Sequence, residues 1–311
     1  MSAGDVGRFL SRYIAYVALI AVVLVFGILS PDRFLTVNNL GIVLQNTAVL
    51  CVVAIGITFI IIGGSIDLSV GSLMAFSGAV TASMVPSMGA YAFIIGPLVG
   101  GALGAINGAI FVFGRIPSFV VTLGMLSVAR GCTVIFTGGA PVPIPLSSDF
   151  YMFGTPPVPF IIAAISVVIM GALLHFTTYG RYTLAIGGDE EKARVLGIPV
   201  DTVKFAMFVI SGIFAGMGGS ILTSQLGSGS PTVGTGFELL AISAVVIGGT
   251  PLTGGTGSII GTAVGSLVIM SLANGLIIMG VPTNVQTVLT GVVLIVAVMI
   301  SIRRGKLKII K

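Results

Sequence analysis

The chain of 311 residues has the composition of a membrane protein, with 56% hydrophobic and only 7% charged residues. Soluble proteins carry roughly a quarter charged residues, so this composition excludes a soluble globular domain. The net charge of +5 reflects basic residues at the ends of membrane helices and is no signature of nucleic-acid binding. Cys51 and Cys132 both lie in apolar runs, which favours small buried hydrophobes over a disulfide or metal ligands.

Apolar runs separated by polar or Gly/Pro breaks predict an all-α, polytopic integral membrane protein with about ten transmembrane helices. These runs form a single transmembrane domain over residues 1–311 and cover 13–30, 40–63, 70–85, 90–113, 119–137, 160–176, 204–222, 239–254, 258–279 and 285–302. The first run lacks a small-x-small cleavage site and is followed by many more, so we interpret it as a retained helix. The run 70–85 is short for a bilayer core of about 30 Å.

The basic residues predict the orientation of the chain. With the amino terminus in the cytoplasm and an even number of spans, every Lys and Arg except Arg33 and Arg130 falls at the cytoplasmic side. The opposite orientation would place them outside, against the positive-inside rule. We therefore expect both termini in the cytoplasm.

Asp67 is the only charged residue in the apolar stretch 40–85, where the sequence reads GGSIDLSVGS over residues 63–72. A carboxylate at membrane depth is costly unless it is hydrogen-bonded, paired or wet, so it marks a functional candidate. Gly63 and Gly64 allow the backbone to leave helical geometry, and Asp67 and Ser69 are expected to accept hydrogen bonds from the start of the next helix. Asp67 either caps that helix and forms a hinge, or contacts a polar solute.

A second break is predicted at 248–258, where Gly248 and Gly249 are followed by Thr, Pro and further glycines. Non-helical backbone at membrane depth requires burial in protein or a water-filled cavity, so this segment is a second pathway or hinge candidate. Its similarity to 63–72 indicates either an internal duplication or convergent low-complexity sequence. Both segments are expected to be interrupted or re-entrant.

Arg130 lies within the run 119–137 and needs an acid or several carbonyl groups if it is buried. Asp67, Asp149 and Glu238 are the candidate partners. If Arg130 lies nearer the membrane surface, its side chain can instead extend to the headgroups.

Asn107 and Asn274 lie on glycine-rich helix faces, where an amide can bond either a neighbouring helix or the hydroxyl groups of a solute. Small residues at four-residue spacing predict close helix packing. These glycines are Gly100, Gly104 and Gly108, Gly212 and Gly216, and Gly261 and Gly265.

Two outer loops are expected to form a rim on which a partner docks. The loop 138–159 holds six prolines and one charge, Asp149, which predicts an extended, stiff lid. The loop 223–238 is rich in Gly, Ser and Thr and ends at Glu238.

The cytoplasmic loop 177–203 predicts a helix of about two turns over 189–196, capped by Asp189 and ended by Gly197. Such a short helix is not stable alone, so it is either held between the membrane domain and a partner or packed as a surface helix without one. The candidate coupling residues are Arg181, Gly187, Gly188, Asp189, Glu190, Lys192 and Arg194.

The chain resembles the membrane permease subunits of ribose-type sugar ABC transporters over almost its whole length. The segments that carry the resemblance are GGSIDLSVGS at 63–72, YGR at 179–181, AIGGD at 185–189, GI at 197–198, GTGFEL at 234–239, AVVIGGT at 244–250, GGTG at 254–257 and GT at 261–262. Ser65 departs from the pattern, since many relatives have Gly there. As a set in this order the segments are highly specific.

The resemblance implies a translocation subunit of an ATP-driven importer of a monosaccharide or similar polyol in a bacterial inner membrane. It implies a second permease copy, identical or similar, ATPase subunits on the cytoplasmic loop and a periplasmic or lipid-anchored sugar-binding protein outside. The chain contains no G-x-x-x-x-G-K-[ST] phosphate loop, so ATP and Mg²⁺ are expected on the ATPase subunit and no cofactor on this chain.

Two other classes of protein are weighed against this interpretation. A self-contained, ion-coupled secondary transporter would use Asp67 as its coupling site, but other intramembrane ionisable groups are scarce. An intramembrane enzyme would need paired carboxylates, a Ser/His pair or a metal-spaced cluster, and the sequence has none. We assign no catalytic or metal-binding residue.

Overall fold

The structure, a computed structural model, describes residues 3–302, with side chains described for residues 15–299. The basic residues from Arg303 to Lys311, which contributed to the predicted orientation, lie outside the described residues. The helices are α1 Ala3–Leu29, α2 Pro31–Phe34, α3 Val37–Ile62, α4 Val70–Met88, α5 Ile95–Gly114, α6 Ser118–Thr137, α7 Val158–Phe176, α8 Thr178–Gly188, α9 Glu190–Val195, α10 Val200–Leu226, α11 Phe237–Ile247, α12 Ile259–Ile278 and α13 Thr283–Ile302.

An apolar helix corresponds to each of the ten predicted runs, which confirms an all-α, polytopic membrane protein. Within the part of the chain that the structure describes, six segments are long and apolar enough to cross a membrane: Val37–Ile62, Val70–Gly114, Ser118–Thr137, Val158–Phe176, Val200–Leu226 and Ile259–Ile278. Shorter apolar helices lie at Ala15–Leu29, Phe237–Ile247 and Thr283–Met299. α11 has eleven residues, which are too few to cross a bilayer. It ends at Ile247, directly before the break that the sequence predicts at Gly248.

Several predicted boundaries were wrong. α4 continues through Pro86 to Met88, because a proline in the last turn removes only one helical hydrogen bond. A 3-10 helix, Gly89–Ile94, then leads directly into α5. α10 begins at Val200 and extends to Leu226, where Gly227 ends it in the left-handed conformation with φ of 68°.

Helix α3 forms the centre of the fold. Every residue from Ala48 to Ile62 is buried, and the helix is apolar on all sides. It packs against α10, α12, α7 and α11, so it contacts protein where an outer membrane helix would contact lipid.

The predicted glycine spacing produces the closest helix pair. On α5 and α10, a Cβ atom added at Gly100 would meet the carbonyl oxygen of Gly212, and one added at Gly212 would meet that of Gly100. Gly104 lies just as close to the carbonyl oxygen of Phe208. Only glycine permits this backbone approach, so the two helices form a rigid pair. Gly261 and Gly265 pack in the same way against α11.

The two predicted outer loops are folded against each other. Val142–Pro143 (β1) pairs antiparallel with Ser228–Gly229 (β2). A 3-10 helix, Asp149–Phe153, buries Phe150 completely, with Ser224 Oγ donating to its carbonyl oxygen at 2.8 Å. The loop 138–159 is therefore no extended lid, because its aromatic residues pack into a small core with α4 and the 3-10 helix Gly89–Ile94.

The predicted loop 177–203 contains two helices where one was expected. The missed helix, α8, follows α7 after a break at Thr177, whose hydroxyl accepts from Gly180 N at 3.2 Å. A Cβ atom added at Gly180 would meet the Leu174 carbonyl oxygen, so the chain turns sharply there. α9 follows after Asp189 and is stopped by Gly197 at a φ of 80°, as predicted.

Candidate functional site

The hinge loop, residues 63–69, is held through Asp67, which is 1% exposed. Its Oδ1 atom accepts from Ser69 N at 2.9 Å and from Ser69 Oγ at 2.6 Å. Its Oδ2 atom accepts from Ser211 Oγ of α10 at 2.9 Å. Asn107 Nδ2 of α5 donates to Ser69 Oγ at 2.9 Å. The carboxylate therefore ties the loop to two helices, and Ser69 donates to it where we expected a cap acceptor.

The first turn of α6 holds the same loop on its other side. Ile66 N donates to Ser118 Oγ at 3.2 Å. Thr122 Oγ1 donates to the Ser118 carbonyl oxygen at 3.0 Å and lies 3.5 Å from the Ile66 carbonyl oxygen. A hinge loop with these contacts has one defined position relative to α5, α6 and α10.

Three glycine pairs meet at one end of the bundle and form the glycine junction: Gly63–Gly64, Gly187–Gly188 and Gly254–Gly255. Gly255 N donates to the carbonyl oxygen of Ile62, the last residue of α3, at 2.8 Å. A Cβ atom added at Gly187 would meet that oxygen and lie 2.5 Å from Gly255 N. The two segments with similar sequences, 63–72 and 248–258, are therefore in direct contact, and α8 packs against both.

The junction depends on backbone conformations that favour glycine. Gly64, Gly254 and Gly255 have φ values of 76°, 77° and 78°. Gly248 and Gly249 begin the second break, where a Cβ atom at Gly248 would meet Gly261 of α12 and Gly249 has a φ of 93°. Side chains are excluded at these points by backbone strain or by contact.

Helix α9 is fastened to α10 by ion pairs. Glu190 Oε2 accepts from Lys204 Nζ at 2.6 Å, and Lys204 Nζ lies 5.1 Å from the centre of the Phe111 ring. Arg194 pairs with Asp201 at 2.8 Å and with Glu190 at 3.4 Å. The hydrogen bond to Asp201 raises the pKa of Arg194, which keeps the guanidinium charged at every physiological pH.

The remaining predicted coupling residues lie on the surface around α9. Asp189 caps the helix by accepting from Lys192 N at 3.2 Å, and its carboxylate lies 3.1 Å from Lys192 Nζ. Arg181 is exposed on α8. The apolar residues Val195 and Leu196, which we did not single out, are 87% and 79% exposed.

Two clefts flank α9. One, of about 930 Å³, lies between the glycine junction and the helix, from Gly63 to Val195. The other, of about 650 Å³, shares Gly64, Glu190 and Arg194 with the first and is also lined by Arg115, Lys204 and Asp201. α9 thus borders both clefts, and its exposed end at Val195 and Leu196 makes it a projecting helix.

Arg130 is bound by carbonyl oxygens. Its Nη1 atom donates to Pro231 at 2.6 Å and to Val233 at 2.7 Å, both in the chain between α10 and α11. Of the two alternatives predicted for Arg130, an acid or several carbonyl groups, the structure shows carbonyl groups. Glu238, one of the three candidate acids, acts on Arg130 only as a nearby charge. Asp67 is committed to Ser69 and Ser211 instead.

The other predicted residues are dispersed. Asp149 is exposed at the start of its 3-10 helix. Glu238 is half-buried in the first turn of α11, and its Oε2 atom has no hydrogen-bond partner in the described part of the chain. The Oδ1 atoms of Asn107 and Asn274 are likewise buried without a partner among residues 15–299. The pathway and docking roles of these residues stay predictions.

Sequence reasoning missed four residues that complete the site: Ser118, Asp201, Lys204 and Ser211. Ser211 directly precedes the glycine of a predicted close helix contact, which is the one signal that could have marked it. The other three carry no local pattern that identifies a distant partner.

The fold and the site define a multi-pass membrane transport subunit with interrupted spans that meet beneath a projecting helix. A family model described as "Branched-chain amino acid transport system / permease component" matches residues 39–298. No solved structure matches the chain.

Curated relatives match over most of their length. The chain is 39% identical to the ribose import permease of Escherichia coli K12 over 295 residues, 92% of each chain. It is 38% identical to the D-allose transport system permease of the same organism over 300 residues, 93% of this chain and 91% of the relative. It is 36% identical to an L-arabinose ABC transporter permease of Azospirillum brasilense over 275 residues, 86% and 81%. The chain belongs to this family of transport-system permeases, which confirms the resemblance.

Proposed function

We propose that the chain is the translocation subunit of an ATP-driven importer of a monosaccharide or a similar small polyol. The observation that carries this proposal is the full-length similarity to permeases named for ribose, D-allose and L-arabinose. The three sugars share several adjacent hydroxyl groups and no charge. A solute of this kind needs a hydroxyl-rich path and no fixed counter-ion, in keeping with the few intramembrane charges of the chain.

The partners follow from the same similarity. An ATP-binding cassette subunit, which would hold ATP and Mg²⁺, docks on α9, where Val195 and Leu196 present apolar surface. A periplasmic or lipid-anchored sugar-binding protein docks at the opposite end, near Asp149 and the paired outer loops. A second permease copy completes the path. The chain then lies in the bacterial inner membrane with both termini in the cytoplasm.

The contacts of α9 supply a mechanism for coupling. A push on α9 reaches α10 through the Glu190–Lys204 ion pair and reaches α3 through Gly187 and Ile62. α10 and α5 move together because of their glycine contacts, and Ser211 transmits that movement to Asp67. The movement of the hinge loop then shifts the first residues of α4. Packed helices that shift as units are a common way of opening a path.

Uptake into membrane vesicles tests the function. Vesicles containing the chain with its ATPase and binding-protein subunits should accumulate labelled ribose, D-allose or L-arabinose when ATP is enclosed. A charged amino acid such as glutamate is the control solute and should not enter. Failure to take up any of the three sugars, with the complex intact, would contradict the proposed substrate class.

A further inference from the structure

The chain between α10 and α11, residues 227–236, is a re-entrant segment without helical structure. It runs along α4 towards the middle of the bundle: a Cβ atom at Gly229 would lie 2.6 Å from Ala79 Cα, and one at Gly234 would meet the carbonyl oxygen of Gly71. From Gly229 to Gly234, five residues further along the segment, the contact point on α4 moves from Ala79 back to Gly71. This segment was expected to be an outer loop, but it follows α4 almost to its first residue.

The depth of Gly71 is fixed by its neighbours. Asn107, which bonds Ser69, lies seven residues before the end of α5 at Gly114, or about 10 Å along the axis. Ser211, which bonds Asp67, lies eleven residues after the start of α10, or about 16 Å. The hydrocarbon core is about 30 Å thick. Gly71 and Gly234 therefore meet inside the bundle, about 10–16 Å along the helices from the ends of α5 and α10 that lie beside α9.

Polar groups of the re-entrant segment are exposed at this depth. Thr232 and Thr235 are both exposed on the chain, and Thr235 Oγ1 donates to the Thr232 carbonyl oxygen at 2.8 Å. Glu238, four residues beyond Gly234, has its Oε2 atom against Gly71 without a hydrogen-bond partner among the described residues. Thr232 Oγ1 lies 3.0 Å from Ser230 Oγ, so Ser230, Thr232 and Thr235 form a connected polar face, and lipid offers hydroxyl groups at this depth none of the further hydrogen bonds that water, a solute or protein would supply.

Arg130 holds the segment in place. Its two hydrogen bonds to the carbonyl oxygens of Pro231 and Val233 flank Thr232, and a charged donor makes these bonds stronger than neutral ones. The segment also has turn contacts of its own, since Val233 N donates to the Ser230 carbonyl oxygen at 3.1 Å and the hydroxyl oxygens of Ser230 and Thr232 lie 3.0 Å apart. The guanidinium of α6 therefore fixes the backbone on both sides of Thr232, and the Ser230 hydroxyl orients the Thr232 hydroxyl.

We propose that residues 230–238 form a hydroxyl-lined wall of the solute path, and that Arg130 is the positioning residue of this wall. The ligand is an uncharged polyhydroxylated molecule, whose hydroxyl groups exchange hydrogen bonds with Thr232 and Thr235. This inference rests on the proposed function for its solute. It goes beyond it by assigning the residues that the solute meets.

Two measurements test the wall. In the complete transporter, Thr232→Val and Thr235→Val remove a hydroxyl at nearly constant volume, and each should lower kcat/KM for sugar uptake roughly tenfold. Thr137→Val, which also removes an exposed hydroxyl of a residue bonded within its own helix, is the matched control and should leave uptake unaltered.

The role of Arg130 is tested by cysteine labelling of the purified protein, which needs no transport. In a background with Cys51→Ala and Cys132→Ala, Val233→Cys, at a side chain that is 7% exposed, should react with a maleimide roughly tenfold faster when Arg130→Gln is added, the factor given by about 1.4 kcal/mol. Arg130→Lys should partly restore the slow rate. Leu146→Cys, 92% exposed on the other outer loop, should react equally fast in all three proteins.

Each outcome decides one part of the proposal. Normal uptake in both threonine variants would overturn the wall, and an unchanged labelling rate in Arg130→Gln would overturn the positioning role. Absence of sugar uptake in the parent transporter would contradict the proposed function instead, and the labelling rates would still decide the role of Arg130.

Discussion

The Oδ2 atom of Asp67 accepts a hydrogen bond of 2.9 Å from the Oγ atom of Ser211, a residue 144 positions further along the chain. This bond joins the hinge loop to the middle of α10, whose first turns are ion-paired to α9. An acid that looks like a solute or ion site in the sequence is therefore bound by protein donors on both oxygen atoms. Its position connects α10, which is ion-paired to α9, with the loop that leads into α4.

The link predicts the outcome of a double-mutant cycle. Ser211→Ala should destabilise the purified protein by about 1–3 kcal/mol, because a buried carboxylate loses a donor. Asp67→Ala should cost more, since it removes all three hydrogen bonds. The double variant should be no less stable than Asp67→Ala alone. Midpoints of thermal loss of the monodisperse chromatographic peak measure these effects, and simple additivity would show that the two residues are not coupled.

The glycine junction predicts opposite effects at two adjacent residues. Gly187→Ala would place a methyl group against the Ile62 carbonyl oxygen and Gly255 N, so it should separate the junction and abolish uptake. Gly188→Ala meets nothing within 4 Å and lies in the same helix, so it should be neutral or slightly stabilising. Expression, thermal stability and uptake are measured for both. Equal behaviour of the two variants would refute the junction.

The ion pair between α9 and α10 predicts that a charge exchange is tolerated. Glu190→Lys alone places two ammonium groups together and should uncouple ATP hydrolysis from uptake. Adding Lys204→Glu should restore most of the coupling, because the attraction returns.

The control for this exchange is Lys192, which is 81% exposed and pairs only with Asp189 of the helix cap among the described ion pairs. Lys192→Glu should have a small effect on coupling, as expected of a surface charge. The measurement is the ratio of sugar molecules transported to ATP hydrolysed. If the Lys204→Glu change fails to rescue Glu190→Lys, Glu190 acts through the ATPase and not through α10.

The exposed apolar tip of α9 predicts a surface that binds the ATPase subunit. Val195→Ser and Leu196→Ser should weaken co-purification of that subunit strongly, because apolar anchors contribute most of the energy at such contacts. Thermal stability of the isolated chain should not change, since both side chains are exposed. Leu146→Ser, on an outer loop, is the control. Undiminished co-purification of the tip variants would place the docking surface elsewhere.

Much of the fold could be predicted from the sequence because its signals are local. Apolar runs gave the helices, glycine spacing marked faces of α5 and α10 as sites of close packing without pairing them, and Asp189 and Gly197 marked the ends of α9. The break at Gly248 was visible because glycine and Thr-Pro follow an apolar run. The placement of the basic residues predicted how the chain is oriented in the membrane. The terminal basic residues that contributed to this prediction lie outside the described range.

The site was less predictable because its contacts are long-range. Nothing local pairs Asp67 with Ser211, Arg130 with Pro231 or Glu190 with Lys204. Helix α8 was missed because its residues are much less apolar than those of the membrane helices and a sharp turn lies in its first turn at Gly180. The re-entrant segment was interpreted as a loop because Gly, Ser and Thr are typical of both.

The central claim is that ATP hydrolysis by a partner subunit drives a sugar through this chain. The most direct measurement is sugar uptake by proteoliposomes, with and without the ATPase and sugar-binding subunits, after ionophores have removed all ion gradients. We expect ATP-dependent accumulation of the sugar in the complete assembly, and we expect ionophores to leave this accumulation unchanged. Accumulation by this chain alone, driven by a proton or sodium gradient and lost in Asp67→Asn, would contradict it.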